Sequence, residues 1–226
     1  TGGFLQVDFD VDFIGKPLRG NMGVRYAKTD IEATGYLATG GALEVTVRNT
    51  YSDWLPSLNL AWSVHEDAVL RFGAAKVMAR PQLPNLSPGG TVNTTLRTIT
   101  TGNPFLQPFR ADTFDFSAEW YFAPESLVSV GVFYKDVKTY VQTLRDYVQF
   151  NTLGIPDVVA TSQGVSPTDF FYFSRPINSD GGPLTGVELN LQMPFTFLPG
   201  FLKDFGLLAN YTHVDSEITY IIVQGN

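Results

Sequence analysis

Residues 4–13 read "FLQVDFDVDF", with Leu5, Val7, Phe9, Val11 and Phe13 on odd positions and Gln6, Asp8, Asp10 and Asp12 on even ones. Side chains alternate faces along a strand, so one face is wholly apolar and the other carries a row of carboxylates. Such a strand needs an apolar medium on one side and a wet one on the other. The next stretch, "LRGNMGVRY" (18–26), alternates in the same way after the turn-rich Ile14-Gly15-Lys16-Pro17. Folding the hairpin so that Phe13 meets Leu18 sets Asp12 opposite Arg19, Asp10 opposite Asn21 and Gln6 opposite Arg25. Apolar residues then meet apolar ones on the far face.

The pattern recurs down the chain. "SLNLAWSV" (57–64), "AVLRFGAAKVM" (68–78), "TFDFSAEWYF" (113–122), "LVSVGVFYK" (127–135), "LTGVELNLQM" (184–193) and "FGLLANYTHV" (205–214) each put bulky apolar residues on alternate positions. Pairing Trp120 with Val130 brings Asp115 opposite Lys135, with Glu119 on the same polar face. This predicts an all-β antiparallel meander of roughly eight strands of about ten residues. Short connections fall at 14–17, 65–67, 123–126 and 194–204, and long ones at 27–56, 79–112 and 145–183. The first long connection is expected to carry strand extensions, because Leu43, Val45 and Val47 alternate with Glu44, Thr46 and Arg48.

A soluble β-sandwich also alternates, but nothing in it demands short turns at one end and long loops at the other. A transmembrane β-barrel predicts strands of about 9–11 residues, that asymmetry, and aromatic girdles at both interfaces. Trp62, Trp120, Tyr121 and Phe122 lie beside the short turns; Tyr26, Trp54, Tyr134 and Tyr211 lie toward the long loops. The apolar face then meets lipid, where a basic residue at mid-depth costs roughly 2–4 kcal/mol. The polar face, with Asp8, Asp10, Asp12, Arg19, Arg25, Asp115, Glu119 and Lys135, lines a wet lumen in which carboxylates pair with Arg19 and Arg25. Calcium binding by the aspartate row is excluded, because side chains spaced along one strand cannot wrap an ion.

Composition narrows the function. A net charge of −7 in 226 residues argues against nucleic acid held through its phosphates. With no cysteine, disulfides and thiolate metal sites are excluded. No run approaches the length of a membrane-spanning helix. His65 and His213 are the only histidines, and neither sits in a nucleophile or metal motif, so no enzyme, metal or cofactor is expected. Gly89-Gly90 and Gly181-Gly182 read as loop glycines, lacking the strand-to-helix context of a phosphate cradle. Candidate ligand contacts lie in the long loops. "NPFLQPFR" (103–110) offers Phe105, Phe109 and Arg110. "DFFYFSRP" (169–176) offers the aromatic run 170–173, including Phe171 and Tyr172, beside Arg175.

Six segments together resemble the β-barrel of TonB-dependent receptors, and most closely the Caulobacter- and Xanthomonas-type subgroup. They are "GNMGVRYAKTD" (20–30), "YSDWLPSLNLAW" (51–62), "VMARPQLPNLSPG" (77–89), "GNPFLQPFRADTFDFSAEWYF" (102–122), "SVGVFYKDVKTYV" (129–141) and "LTGVELNLQMPF" (184–195). "WLPSLNL", then "ARP", then "NPFLQP" is the most specific succession. The resemblance implies an outer-membrane barrel of about 22 strands holding an N-terminal plug, with import of a small substrate energised through the TonB complex. Plug, TonB box and C-terminal aromatic strand have no counterpart in residues 1–226. The chain begins in strand-like and stops in loop-like sequence, so an internal piece of a longer protein is expected. The subgroup's association with carbohydrate uptake, together with the aromatic run, points to an oligosaccharide as cargo, since sugar C–H faces stack on rings. An iron chelate is the alternative; it would use Arg97, Arg110, Arg145 and Arg175, which the acidic composition is expected to offset. A passive porin or barrel-borne adhesin is the remaining reading.

Overall fold

A computed structural model of the chain describes residues 1–38 and 43–222. The eight expected strands are β1 (Gly2–Phe13), β2 (Lys16–Ala38), β3 (Leu43–His65), β4 (Ala68–Ala79), β7 (Phe109–Ala123), β8 (Ser126–Gln149), β10 (Pro183–Pro194) and β11 (Gly206–Ser216). Three more lie in the long connections: β5 (Gly90–Asn93), β6 (Thr98–Thr101) and β9 (Phe170–Asp180). A single turn of helix, α1 (Val158–Thr161), sits between β8 and β9. The eight wall strands pair antiparallel in chain order, from β1 beside β2 through to β10 beside β11.

Two registers differ from those expected, each by two residues. Asp10 lies opposite Arg19 and Asp12 opposite Pro17, because β1 and β2 are joined by only Ile14-Gly15. Both residues have positive φ, 53° and 70°, the backbone of a two-residue turn whose twist matches that of the strands. Likewise Trp120 pairs with Val128, Asp115 with Phe133 and Thr113 with Lys135. There the chain turns at Pro124-Glu125, with Glu125 at φ 57°, and the pairing is irregular between Trp120 and Ala123. A slip of two restores the same face, so the apolar and polar sides are as expected.

The long connections are more ordered than their composition suggests. Most of 27–56 is strand, with β2 and β3 of 23 residues each running on as one hairpin. β8 likewise continues to Gln149 and returns as β9. The β5–β6 hairpin, from the connection after β4, pairs parallel with both of these hairpins. Thr98, Ile99 and Thr100 of β6 align with Tyr172, Phe173 and Ser174 of β9, and β5 aligns with the far end of β2. The pairings β2-β3-β4-β7-β8-β9-β6-β5 and back to β2 therefore close a ring of strands at the long-loop end. The main core among the described residues packs against β6 and β9 of this ring. Ile99, Phe150, Val159, Ala160 and Phe171 are buried there, with Val92, Leu153, Val165 and Phe173 packed around them.

Backbones touch both within the β5–β6 hairpin and where that hairpin meets β2. A Cβ on Gly90 would lie 2.2 Å from the Thr100 carbonyl oxygen, and one on Gly35 of β2 would lie 2.4 Å from the Gly89 nitrogen. Only glycine permits that approach.

Candidate functional site: the polar wall and the loop cap

The polar side of the wall carries a cavity of about 940 Å³, bordered by Asp8, Asp10, Arg19, Arg71, Asp115 and Glu188 with the amides of Asn21 and Asn59. Register produces this lining, since Arg19 stands opposite Ala61, Asn21 opposite Asn59 and Gly73 opposite Asp115. Asn59 Nδ2 donates to Asn21 Oδ1 at 2.9 Å. Arg71 donates two hydrogen bonds to Glu119, at 2.7 and 3.2 Å, and the Tyr121 hydroxyl donates a third at 2.9 Å. Tyr121 thus belongs to the polar face, not to the girdle with Trp120 and Phe122, whose rings meet at 5.6 Å.

The aspartate row does not pair as expected. Among the described residues no ion pair joins Asp8, Asp10 or Asp12 to Arg19 or Arg25. The register moves Arg25 opposite Phe4, and Asp8 instead accepts from Gln6 at 2.9 Å. Lys135 lies across from Thr113 and Leu184, with its ammonium 5.6 Å from the Phe133 ring centre.

The loop candidates divide by strand alternation. Phe171 is fully buried, edge-on to Phe150 at 5.4 Å, so it packs the cap and presents no face to a ligand. Phe170 and Tyr172 point to the other side of β9. There Tyr147 stacks on Phe170 at 5.2 Å and meets Tyr172 at 4.7 Å, while the Arg145 guanidinium lies 4.4 Å from the Tyr172 ring centre. Phe105 is exposed, and Phe109 packs edge-on to Tyr140 at 5.7 Å.

Of Arg97, Arg110, Arg145 and Arg175, three are held by carboxylates; Arg80, also in a long connection, donates to the Thr29 hydroxyl at 3.1 Å. Arg97 meets Asp169 at 3.3 Å and Arg175 meets Asp146 at 3.0 Å. Arg110 of β7, which pairs with Met78 near the end of β4, reaches Asp53 of β3. Nε donates to Oδ1 and Nη2 to Oδ2, the latter at 3.3 Å, with Asp53 only 8% exposed. These partners were not singled out from the sequence. The signal was present in 27–38, where Lys28, Asp30, Glu32 and Thr34 alternate, but 139–149 alternates less cleanly because both of its faces are half apolar. On the β2–β3 extension, Thr50 donates to Asp30 at 2.9 Å and Lys28 lies 3.2 Å away. These hold the Asp30 carboxyl below the usual carboxylate range, the Thr50 hydrogen bond foremost.

Among the described residues no group of three or more metal-ligating side chains converges. The arrangement offers a polar, hydrogen-bonding wall and a packed cap.

Comparison with known proteins accords with this geometry. The family described as "TonB dependent receptor-like, beta-barrel" matches residues 1–226. No curated protein matches the chain. Among solved structures, the siderophore receptor PirA of Pseudomonas aeruginosa is similar with a TM-score of 0.55 at 15% identity, over 96% of this chain and 43% of that one. The alcaligin outer-membrane receptor FauA of Bordetella pertussis gives 0.53 at 14% identity, over 96% and 30%. The hemophore receptor HasR of Serratia marcescens, solved with its hemophore HasA and heme, gives 0.52 at 16% identity, over 84% and 31%. The chain thus spans between 30% and 43% of these receptors, and at such identity the likeness is one of fold. The alternating wall, the turn asymmetry and the family match over the whole chain lead to one conclusion: this is β-barrel sequence of the Gram-negative outer membrane, and the chain belongs to the TonB-dependent receptor family.

Proposed function

We propose that residues 1–226 form wall and extracellular loops of a TonB-dependent importer for a neutral oligosaccharide. On this reading Asp8, Asp10, Asp12, Arg19, Arg25, Asp115, Glu119 and Lys135 face the lumen, against a plug domain that also engages the TonB complex. The observation that carries the cargo assignment is the neutralisation of the loop cations: Arg97, Arg110 and Arg175 are each held by a carboxylate. An anionic chelate needs free cations at the mouth. A polyhydroxylated neutral cargo needs donors and acceptors, which the amides and carboxylates of the cavity supply. The resemblance of the six segments to the Caulobacter- and Xanthomonas-type subgroup supports the same choice. The rings at 147, 170 and 172 cover one another, so sugar contact falls to Phe105 and to the outer members of that stack rather than to Phe171.

A ferric chelate is the second reading, favoured by Arg145, which rests on a ring and has no carboxylate within ion-pair distance among the described residues. Transcript levels of the parent gene, measured on a panel of glycans and under iron limitation, separate the two. Induction by a glycan is expected. Induction by iron starvation alone would overturn the carbohydrate assignment and leave the importer intact.

A further inference from the structure

On the apolar side, close to the short turns, two rows of side chains cross five strands. Leu70, Ala118, Val130, Leu189 and Tyr211 stand in mutual register on β4, β7, β8, β10 and β11. One step nearer the turns stand Ala68, Trp120, Val128, Leu191 and Ala209. Between the rows lies an apolar groove of about 550 Å³. Its depth comes from size contrast: the small side chains of Ala68 and Ala118, both half-buried, and of Ala209 stand among Trp120, Leu189 and Tyr211, which are all well exposed. Five strands at about 4.8 Å spacing make it about 19 Å long. Strands in such barrels tilt by about 35–45°, so a groove running across them slopes at a comparable angle through the membrane.

We infer that this groove seats one acyl chain of a phospholipid from the periplasmic leaflet. The occupant follows from continuity with the lipid-facing band and from depth, because the short turns of these barrels are periplasmic. The length is that of one extended long-chain acyl group. Trp120 and Tyr211 provide amphipathic rings at the groove, as interfacial aromatics do. No cation borders it, so recognition is of the chain and not of the headgroup. An ordinary flat barrel surface exchanges its lipids freely; a recessed slot holds one longer, since more of the chain leaves contact with its neighbours for the protein.

The test uses the whole receptor, extracted from outer membranes and equilibrated with palmitoyl phosphatidylethanolamine in mild detergent. Native mass spectrometry then counts lipids retained after delipidation. One retained phosphatidylethanolamine per receptor is expected. Filling the groove with Ala118→Phe and Ala209→Phe should lower its occupancy at least tenfold. Val7→Phe, on the same apolar face but outside the groove, should leave it unchanged. Folding of each variant is checked by heat-modifiable gel mobility. The inference is overturned if wild type retains no phosphatidylethanolamine, if it retains lipopolysaccharide in its place, or if the Val7 variant loses lipid as fully as the groove variant.

Discussion

Replacing Phe171 by alanine separates a packing role for this ring from a ligand-binding one. The side chain is fully buried in the cap, against Phe150 and among Ile99, Val159 and Ala160. Truncating a buried phenylalanine costs about 3–5 kcal/mol through lost transfer energy and the cavity left behind. The cap has its own core, apart from the membrane-facing wall, so the loss falls on local opening of the cap. At about 1.4 kcal/mol per factor of ten, amide protection over 145–175 should fall by roughly two to four powers of ten. Hydrogen exchange on the receptor in nanodiscs reads this directly, with amides of β1, β4 and β7 as internal controls. Tyr172→Ala, next along the chain but 44% exposed, removes one ring contact and one cation–π contact. Each is worth about 0.5–1.5 kcal/mol, about 2 kcal/mol together at mid-range against about 4 for Phe171, so the expected effect is more than tenfold smaller. Equal protection losses in the two variants would refute the assignment of Phe171 to the core. So would Phe171→Ala abolishing cargo binding while exchange stays at the wild-type level.

Further outcomes follow from the same contacts. Gly35→Val should release the β5–β6 hairpin from β2, since even a Cβ would lie 2.4 Å from the Gly89 nitrogen; new protease cleavage within 80–108 is the readout, and an uncut loop would contradict ring closure. Arg110→Ala strands the buried Asp53 carboxylate and should cost about 3–5 kcal/mol of cap stability, whereas Arg110→Gln with Asp53→Asn should cost less; equal losses by denaturant titration would count against the pair. Asp30, with its folded pKa depressed, contributes stability that is present above its unfolded value of about 3.9 and is lost as pH falls through the lower folded value. Thr50→Val should move the Asp30 titration, followed by carboxyl NMR, back up toward the ordinary value, and an unmoved titration would reject the hydroxyl as its main cause.

Much of the wall was legible because its period of two is dictated by the strand backbone. A one-residue slip would have exposed Phe9 and Val11 to the lumen, and the actual slips were of two, which keep every residue on its side. The size of the slip was hidden because it depends on turn conformation. Ile14 adopts positive φ, which a β-branched residue seldom does, so the two-residue turn at Ile14-Gly15 was read as a four-residue one. The run Phe170–Phe173 was misjudged for a related reason. Without knowing that 170–180 is a strand, four aromatics look like one surface, whereas alternation sends Phe171 and Phe173 toward the core and Phe170 and Tyr172 away from it.

From the sequence alone came the all-β class, the two faces of the wall, the asymmetry of its connections and the family likeness, because each rests on local periodicity or short motifs. Tertiary structure decided the closed ring at the loop end, the carboxylate partners of Arg97, Arg110 and Arg175, and the recessed groove on the lipid side. These join residues far apart in the chain: Arg110 of β7 meets Asp53 of β3, 57 positions earlier, and β6 meets β9 by a parallel pairing of three residues. No local pattern encodes such meetings, because they depend on how strongly the whole sheet curves and on where each strand stops.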